Sequence, residues 1–427
     1  MAPQHSTLPP LHEAWLPKEH SLHRPRHGTR QLGALICACV FFAFPVLSFV
    51  TGMRSAELEN HPLATFPNPA DGWAFFGDFQ QWAVDNVPFR AEAIYATDAI
   101  SRGLFNEQPS FDRGTELGPS GPAGGFDRRR KNPELKLPLA IEGKNSWLYY
   151  GDDITSRCNQ AEDLATTIGS IRRLRDAVTA SGRTFVLLVA PDKSTVVPEN
   201  LPDDFPGKEC TRKTTEELWG MLANEPGVVD MRAELQSWGR RLGRPVYPAQ
   251  DGHWGDEGGV VMAKSLAEAI QPGVTQGWKV EPVERWQLPA DLPPLIGKSG
   301  TSDGFTYALK PDGVRNLARP ISPDFTSPVR LGTAAGPGTI TTSVGLLGDS
   351  FTIRALRYLA ASFGDLTVLH YGKVNEDAGR AAGEMLANND VVAVELVERT
   401  IASGNSLLLE PAVVDGIASV LAAQPRR

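Results

Sequence analysis

Two short stretches carry residues able to do nucleophilic chemistry. In Tyr247-Pro-Ala-Gln-Asp-Gly-His-Trp-Gly-Asp-Glu-Gly258, Asp251 and His253 stand two residues apart with Trp254 beside them. Further along, Gly345-Leu-Leu-Gly-Asp-Ser-Phe351 is an apolar run that ends on a serine. A serine hydroxyl is a weak nucleophile and needs a base within hydrogen-bond reach. The base in turn needs a third group to fix its ring. Five of the eight histidines lie in the first 30 residues, which leaves His61, His253 and His370. Only His253 has a carboxylate two residues away with a flexible glycine between them. Asp251, His253 and Ser350 are therefore expected to form one site, with Ser350 as nucleophile. Each piece alone has a plainer reading: Asp349-Ser350 as a helix cap, Asp-Gly-His as a turn. A metal reading of Asp251, His253 and Asp256 lacks a further ligand, so neither a metal nor a cofactor is expected.

The elements that must position these residues read as α/β. Thr184–Pro191 is a continuous apolar run, as a buried parallel strand requires. Trp147–Tyr150, Val228–Asp230, Val344–Leu347, Leu366–His370 and Val391–Leu396 are further strands. Between them lie helical patterns over Glu162–Ala180, Thr214–Ala223, Arg232–Leu242, Asp256–Ala269 and Phe351–Phe363. This alternation predicts a mostly parallel sheet covered on both faces, with working groups at the carboxyl ends of its strands. Asp192, Ser350 and Tyr371 sit just past such ends. Ser350 is predicted on a sharp strand-to-helix turn, whose helix N-terminus offers backbone N–H groups to an oxyanion. Lys193, Trp254 and Tyr371 are candidates for substrate contact. For Lys193 the alternative is a loop pairing with Asp192 or Glu199. His370 reads as a structural histidine and Arg399 as a structural partner of Glu395. Residues 272–342, rich in Pro, Gly and Ser, read as an insertion of loops and short strands.

The N-terminal part reads differently. Residues 1–30 form a polar, proline-rich tail. Residues 31–53 are the only long apolar stretch, of a length that matches the hydrocarbon core of a membrane. Lys18, Arg24, Arg26 and Arg30 precede it and favour a cytoplasmic tail with the rest of the chain outside. A cleaved signal peptide, with a shorter apolar core, is the competing reading. Residues 54–140 read as a linker, a helical segment and a Gly/Pro-rich loop. Trp73, Phe75, Phe76, Phe79 and Trp82 recur at helical spacing, as a helix packing on the main domain or an aromatic sugar platform. Arg128–Lys131 is a basic cluster, as a solvated loop or an anion site. The net charge of −8 across 427 residues argues against a nucleic-acid partner. Four cysteines occur with no Cys-x-x-Cys pair. Cys37 and Cys39 lie in the apolar stretch, and Cys158 and Cys210 form a disulfide in an oxidising compartment or stay as two thiols.

The chain resembles the SGNH-like acetyltransferases of the AlgJ/AlgX type, known from alginate O-acetylation. The resemblance rests on Glu57-Leu-Glu-Asn with Leu63–Pro67, Asp85–Arg90, Gly143-Lys-Asn-Ser-Trp-Leu-Tyr-Tyr150, Ala190–Pro202, Asp251-Gly-His-Trp254, Gly348-Asp-Ser-Phe351 and Glu395-Leu-Val-Glu-Arg399, in that order. It implies a flavodoxin-like, SGNH-hydrolase-like domain over 141–427 facing the periplasm, anchored in the inner membrane by its N-terminal helix. It also implies Ser350 as nucleophile, His253 as base and Asp251 as orienting acid, working through an acetyl-serine. The acetyl donor would be a multi-pass membrane O-acyltransferase and the acceptor a polysaccharide hydroxyl. The single anchor, and the short tract left for a carbohydrate-binding module, place the layout nearer AlgJ than AlgX. A carbohydrate esterase with the same triad and a non-catalytic polysaccharide-binding scaffold are the competing readings.

Overall fold

The computed structural model describes residues 15–20, 29–53 and 138–426, and between them 66–68, 72, 75, 79–80, 82–83, 86 and 88. His61, Trp73, Phe76 and the basic cluster Arg128–Lys131 lie outside the described residues. The chain separates into two compact units, residues 1–56 with 63–90, and residues 57–62 with 91–427.

In the first unit, helix α1 (Thr29–Val50) is unbroken through Pro45. Its 19-residue apolar part, Leu32–Val50, is long and apolar enough to cross a membrane. Phe75, Phe79 and Trp82 are helical. They pack on one another and on Phe66, with ring centroids 4.9 to 6.3 Å apart. Trp82 also meets Phe49 at 5.3 Å. These rings pack against each other and against the end of α1, within the first unit.

The second unit begins with strands β1 (Ala140–Glu142) and β2 (Leu148–Tyr150), an antiparallel pair. Then come α2 (Asp152–Cys158), α3 (Leu164–Ala180), β3 (Thr184–Ala190), α4 (Lys193–Val196), α5 (Lys208–Leu222), β4 (Val228–Asp230), α6 (Arg232–Leu242) and α7 (Asp256–Ile270). Strands β5 (Lys279–Pro289) and β6 (Thr301–Lys310) follow, then β7 (Val329–Leu331), β8 (Val344–Gly348), α8 (Leu356–Ser362), β9 (Leu366–His370), α9 (Arg380–Ala387), β10 (Val391–Val397), α10 (Glu398–Ser403) and α11 (Pro411–Ala423).

Six strands form the central sheet in the order β4-β3-β10-β8-β9-β7. All pairings are parallel except β7 with β9. Alternation along each strand sorts its side chains onto two faces. Val186, Leu188 and Ala190 of β3 join Val391 and Ala393 of β10 on one face, beneath α7 and α8. Phe185, Leu187 and Val189 join Val392, Val394 and Leu396 on the other, beneath α3, α5, α9 and α11. The strands are apolar on both sides because both sides are covered, as the sequence pattern predicts.

The 272–342 stretch differs from its expectation. Two of its strands are long, β5 and β6 forming a hairpin of 11 and 10 residues, while the three-residue β7 adds the antiparallel edge of the main sheet. Cys158, closing α2, is disulfide-bonded to Cys210 in the first turn of α5, 52 positions away. Closing a loop of that length restricts the unfolded chain by about 4 kcal/mol on the chain-entropy account. The Cys158→Ser, Cys210→Ser protein is expected to lose about that much unfolding free energy in a denaturant titration. An unchanged midpoint would contradict the assignment.

Candidate active site

Strand β8 delivers the serine. Its last residue is Gly348, where a Cβ would lie 2.2 Å from Thr352 Oγ1, so only glycine lets the chain fold back so tightly. Asp349 caps the turn: its Oδ1 accepts from the Phe351 N–H at 2.8 Å, and its Oδ2 accepts from the Tyr371 hydroxyl at 2.9 Å. Below it, the Glu395 carboxyl of β10 accepts from the Asp349 N–H and the Thr352 hydroxyl, both at 3.0 Å. Burial, and then the neighbouring Asp349, push Glu395 well above the usual carboxylate range. Ser350 itself opens a 3-10 turn, Ser350–Arg354, ahead of α8. The Phe351 N–H is taken by Asp349 Oδ1, and the Thr352 N–H donates to Asp349 O at 3.0 Å. The N–H groups of Phe351 and Thr352, two of the donors expected to face an oxyanion, are thus engaged in shaping the turn.

The loop before α7 delivers the base. Gly259 allows α7 to lie directly on the serine turn, since a Cβ there would meet the Arg354 carbonyl oxygen at 2.2 Å. Trp254 donates from Nε1 to Phe351 O at 3.0 Å, and its ring meets the Phe351 ring edge-on at 5.0 Å. The two stretches are thereby locked together through the residues that follow His253 and Ser350. His253 Nε2 lies 2.8 Å from Ser350 Oγ. On its other side, Nδ1 lies 3.3 Å from Asp251 Oδ1 and 2.9 Å from Asp291 Oδ2. Asp251 Oδ1 also accepts from the His253 N–H at 2.9 Å.

Burial works to keep the imidazole neutral, but hydrogen bonds to Asp251 and Asp291 outweigh it and raise its pKa to about 9. The two carboxylates diverge. Burial raises Asp251, yet the bonds to His253 leave it below the usual range. Burial, then the charge of Asp251, hold Asp291 above it. One oxygen or nitrogen of Asp251, His253 and Asp291 lies within 4.8 Å of the others, a spacing a cation also accepts. A proton on Nδ1 shared between two carboxylates accounts for that spacing without an ion. Asp256, the third residue of the metal reading, lies apart from these atoms: it accepts from Trp286 Nε1 at 3.0 Å and from the Tyr358 hydroxyl at 2.7 Å.

Ser350, His253 and Asp251 come together; the three substrate-contact candidates do not join them. Lys193 is buried at 1% exposure. Its ammonium lies 2.7 Å from Leu148 O and Pro248 O, 2.8 Å from Ala249 O and 3.0 Å from Asp251 O. It pairs with neither Asp192 nor Glu199, but holds the loop carrying Asp251 from beneath. Burial pushes it down to about 7, against the charges of Asp291, Asp251 and Asp153. Trp254 is buried as described, and Tyr371 is buried with its hydroxyl on Asp349. Arg399 pairs with Asp192 at 2.9 Å rather than with Glu395. His370 is structural, accepting from the Gly372 N–H at 2.9 Å.

A family model described as "SGNH hydrolase-like domain, acetyltransferase AlgX" matches residues 140–355, half of the 427-residue chain. The chain belongs to that family. The match takes in β1 through the serine turn, with both halves of the site. Among curated proteins the chain is similar to the "Probable alginate O-acetylase AlgJ" of Pseudomonas syringae pv. tomato, 26% identical over 226 residues, 50% of this chain and 54% of that protein. It is also similar to the protein of the same name from Pseudomonas fluorescens, 24% identical over 155 residues, 34% of this chain and 39% of that protein. The chain thus spans about half or less of the length of the curated relatives it matches. Among solved structures, the O-acetyltransferase domain of Pseudomonas putida AlgJ matches at 17% identity and a TM-score of 0.43, covering 66% of this chain and 99% of that one.

Proposed function

We propose that this protein is a membrane-anchored O-acetyltransferase that carries an acetyl group on Ser350 and passes it to a hydroxyl of a polysaccharide. The observation that carries the reading is the 2.8 Å approach of His253 Nε2 to Ser350 Oγ, with carboxylates on Nδ1. His253 takes the hydroxyl proton as Oγ attacks the acyl carbon of the donor. The tetrahedral adduct collapses, the bond to the donor breaks, and His253 returns the proton to the leaving heteroatom. In the second half the acceptor hydroxyl gives its proton to His253 and attacks the acetyl carbon. Collapse frees the product ester, and Ser350 Oγ recovers the proton from the imidazolium.

The family membership supports acyl transfer, and the curated relatives are named for alginate. Helix α1 supports an anchor in the inner membrane with the site in the periplasm. A multi-pass membrane acyltransferase is the donor this arrangement calls for, because cytoplasmic acetyl carriers do not cross a bilayer. The test follows acetyl from a labelled ester donor in the presence of an oligosaccharide acceptor. Transfer to the oligosaccharide is expected to exceed release of free acetate at saturating acceptor. Dominant acetate release would make the protein an esterase.

A further inference from the structure

Resting on the reading of Ser350 and His253 above, we infer that Asp291, brought in by the end of the β5–β6 hairpin, is a second positioning carboxylate of the base, sharing His253 Nδ1 with Asp251. Three observations carry this. Asp291 Oδ2 is the nearer acceptor for His253 Nδ1, at 2.9 Å against 3.3 Å for Asp251 Oδ1. The same Asp251 oxygen accepts from the backbone N–H of His253 at 2.9 Å, the Asx-turn role common for this residue type. Asp291 also has its own anchor, accepting from the Gly252 N–H at 2.8 Å through Oδ1. One carboxylate therefore grips the loop at Gly252 and the ring at Nδ1.

The surroundings fix Asp291 as a positioning group must be fixed. It lies between Pro289, the last residue of β5, and the Pro293–Ile296 turn. Leu292, Leu295 and Ile296 pack with Ala140 and Leu148 of the β1–β2 pair. The Ala290 N–H donates to Gly300 O at 3.0 Å, and the Leu292 N–H to Gln250 O at 3.3 Å. On the far side, Lys298 pairs with Glu142 at 2.7 Å. The hairpin end is thus docked on both sides of Asp291, and the base acquires its nearer partner from an element outside its own loop. The charged groups around the ring are Asp251 on its own loop, Asp291 from the hairpin, Lys193 from α4 beneath the loop, and Arg399, 5.2 Å from the Phe351 ring that His253 packs on.

The test is the pH dependence of Ser350 labelling by a serine-directed phosphonate in the full chain. Labelling of the wild type rises with pH towards about 9, where the imidazole becomes neutral. Asp291→Asn retains an acceptor for Gly252 and is expected to fold with an unchanged Tm. Its labelling rate is expected to fall on the order of 10³-fold by the triad analogy, with the limb moved about a unit lower, because one stabilising charge on the imidazolium is gone. Asp251→Asn is expected to fall on a similar scale, since Asp251 makes the other bond to the ring. In Asp291→Ala, added formate is expected to restore part of the rate and return the limb upward. A limb and a labelling rate both unmoved in Asp291→Asn, with the loss confined to Asp251→Asn, would overturn the inference. Labelling of a Ser350→Ala protein at the wild-type rate would instead overturn the Ser350 reading on which it rests.

Discussion

Ser350→Ala is expected to lower acetyl transfer on the order of 10⁵-fold, the scale on which members of a catalytic unit fail when removed singly. Ser350 stands partly exposed above a turn held by Asp349, Glu395 and Tyr371, none of which uses its hydroxyl. Removing one oxygen leaves that support intact, so Tm is expected to stay within about 1 °C, as for a substitution away from core, cap and network features. His253→Ala is expected to fall to the same floor, and the double variant no lower, because nucleophile and base act in one step. A non-catalytic scaffold makes the opposite forecast, a Ser350→Ala protein that supports polymer acetylation at the wild-type level.

Lys193→Met gives the second large effect, of another kind. Four carbonyl oxygens from β2 and the Asp251 loop converge on one ammonium. The sulfur of methionine donates to none of them. Leaving buried partners of a charge unmet costs roughly 3–5 kcal/mol, which lowers Tm by roughly 10 °C in a domain of this size. Activity falls with stability, since three of the four acceptors, Pro248, Ala249 and Asp251, belong to the loop that presents His253. A surface residue contacting an acidic sugar would behave differently, raising KM without moving Tm. The two outcomes are read from one thermal melt and one saturation curve.

The parallel sheet was legible because its strands are apolar on both faces and its helices amphipathic. The Asp251–His253–Ser350 constellation was legible because histidines are scarce outside the tail and the serine closes a strand. The errors have one physical source. Lys193, Trp254 and Tyr371 lie just past strand ends or beside the histidine, where sequence position marks proximity to a site. Whether a side chain faces solvent or the interior depends on which carbonyls and rings the tertiary fold brings over it. Arg399 pairs with Asp192, on a different element, for the same reason. Asp291 left no trace in pattern: it stands in Ala290-Asp-Leu-Pro-Pro294, inside a stretch whose prolines and glycines read as loop. Only the length of β5 and β6, and the apolar residues at the hairpin end, bring it to the imidazole.

The central claim is that acetyl rests on Ser350 between donor and acceptor. The most direct measurement incubates the full chain with an activated acetyl ester without acceptor, quenches in acid, and locates the added mass by peptide mass spectrometry. The account predicts one acetyl on the peptide containing Ser350, lost on addition of an oligosaccharide and absent in Ser350→Ala and in His253→Ala. An acetyl group that turns over on any other residue, or undiminished transfer by the Ser350→Ala protein, would contradict it.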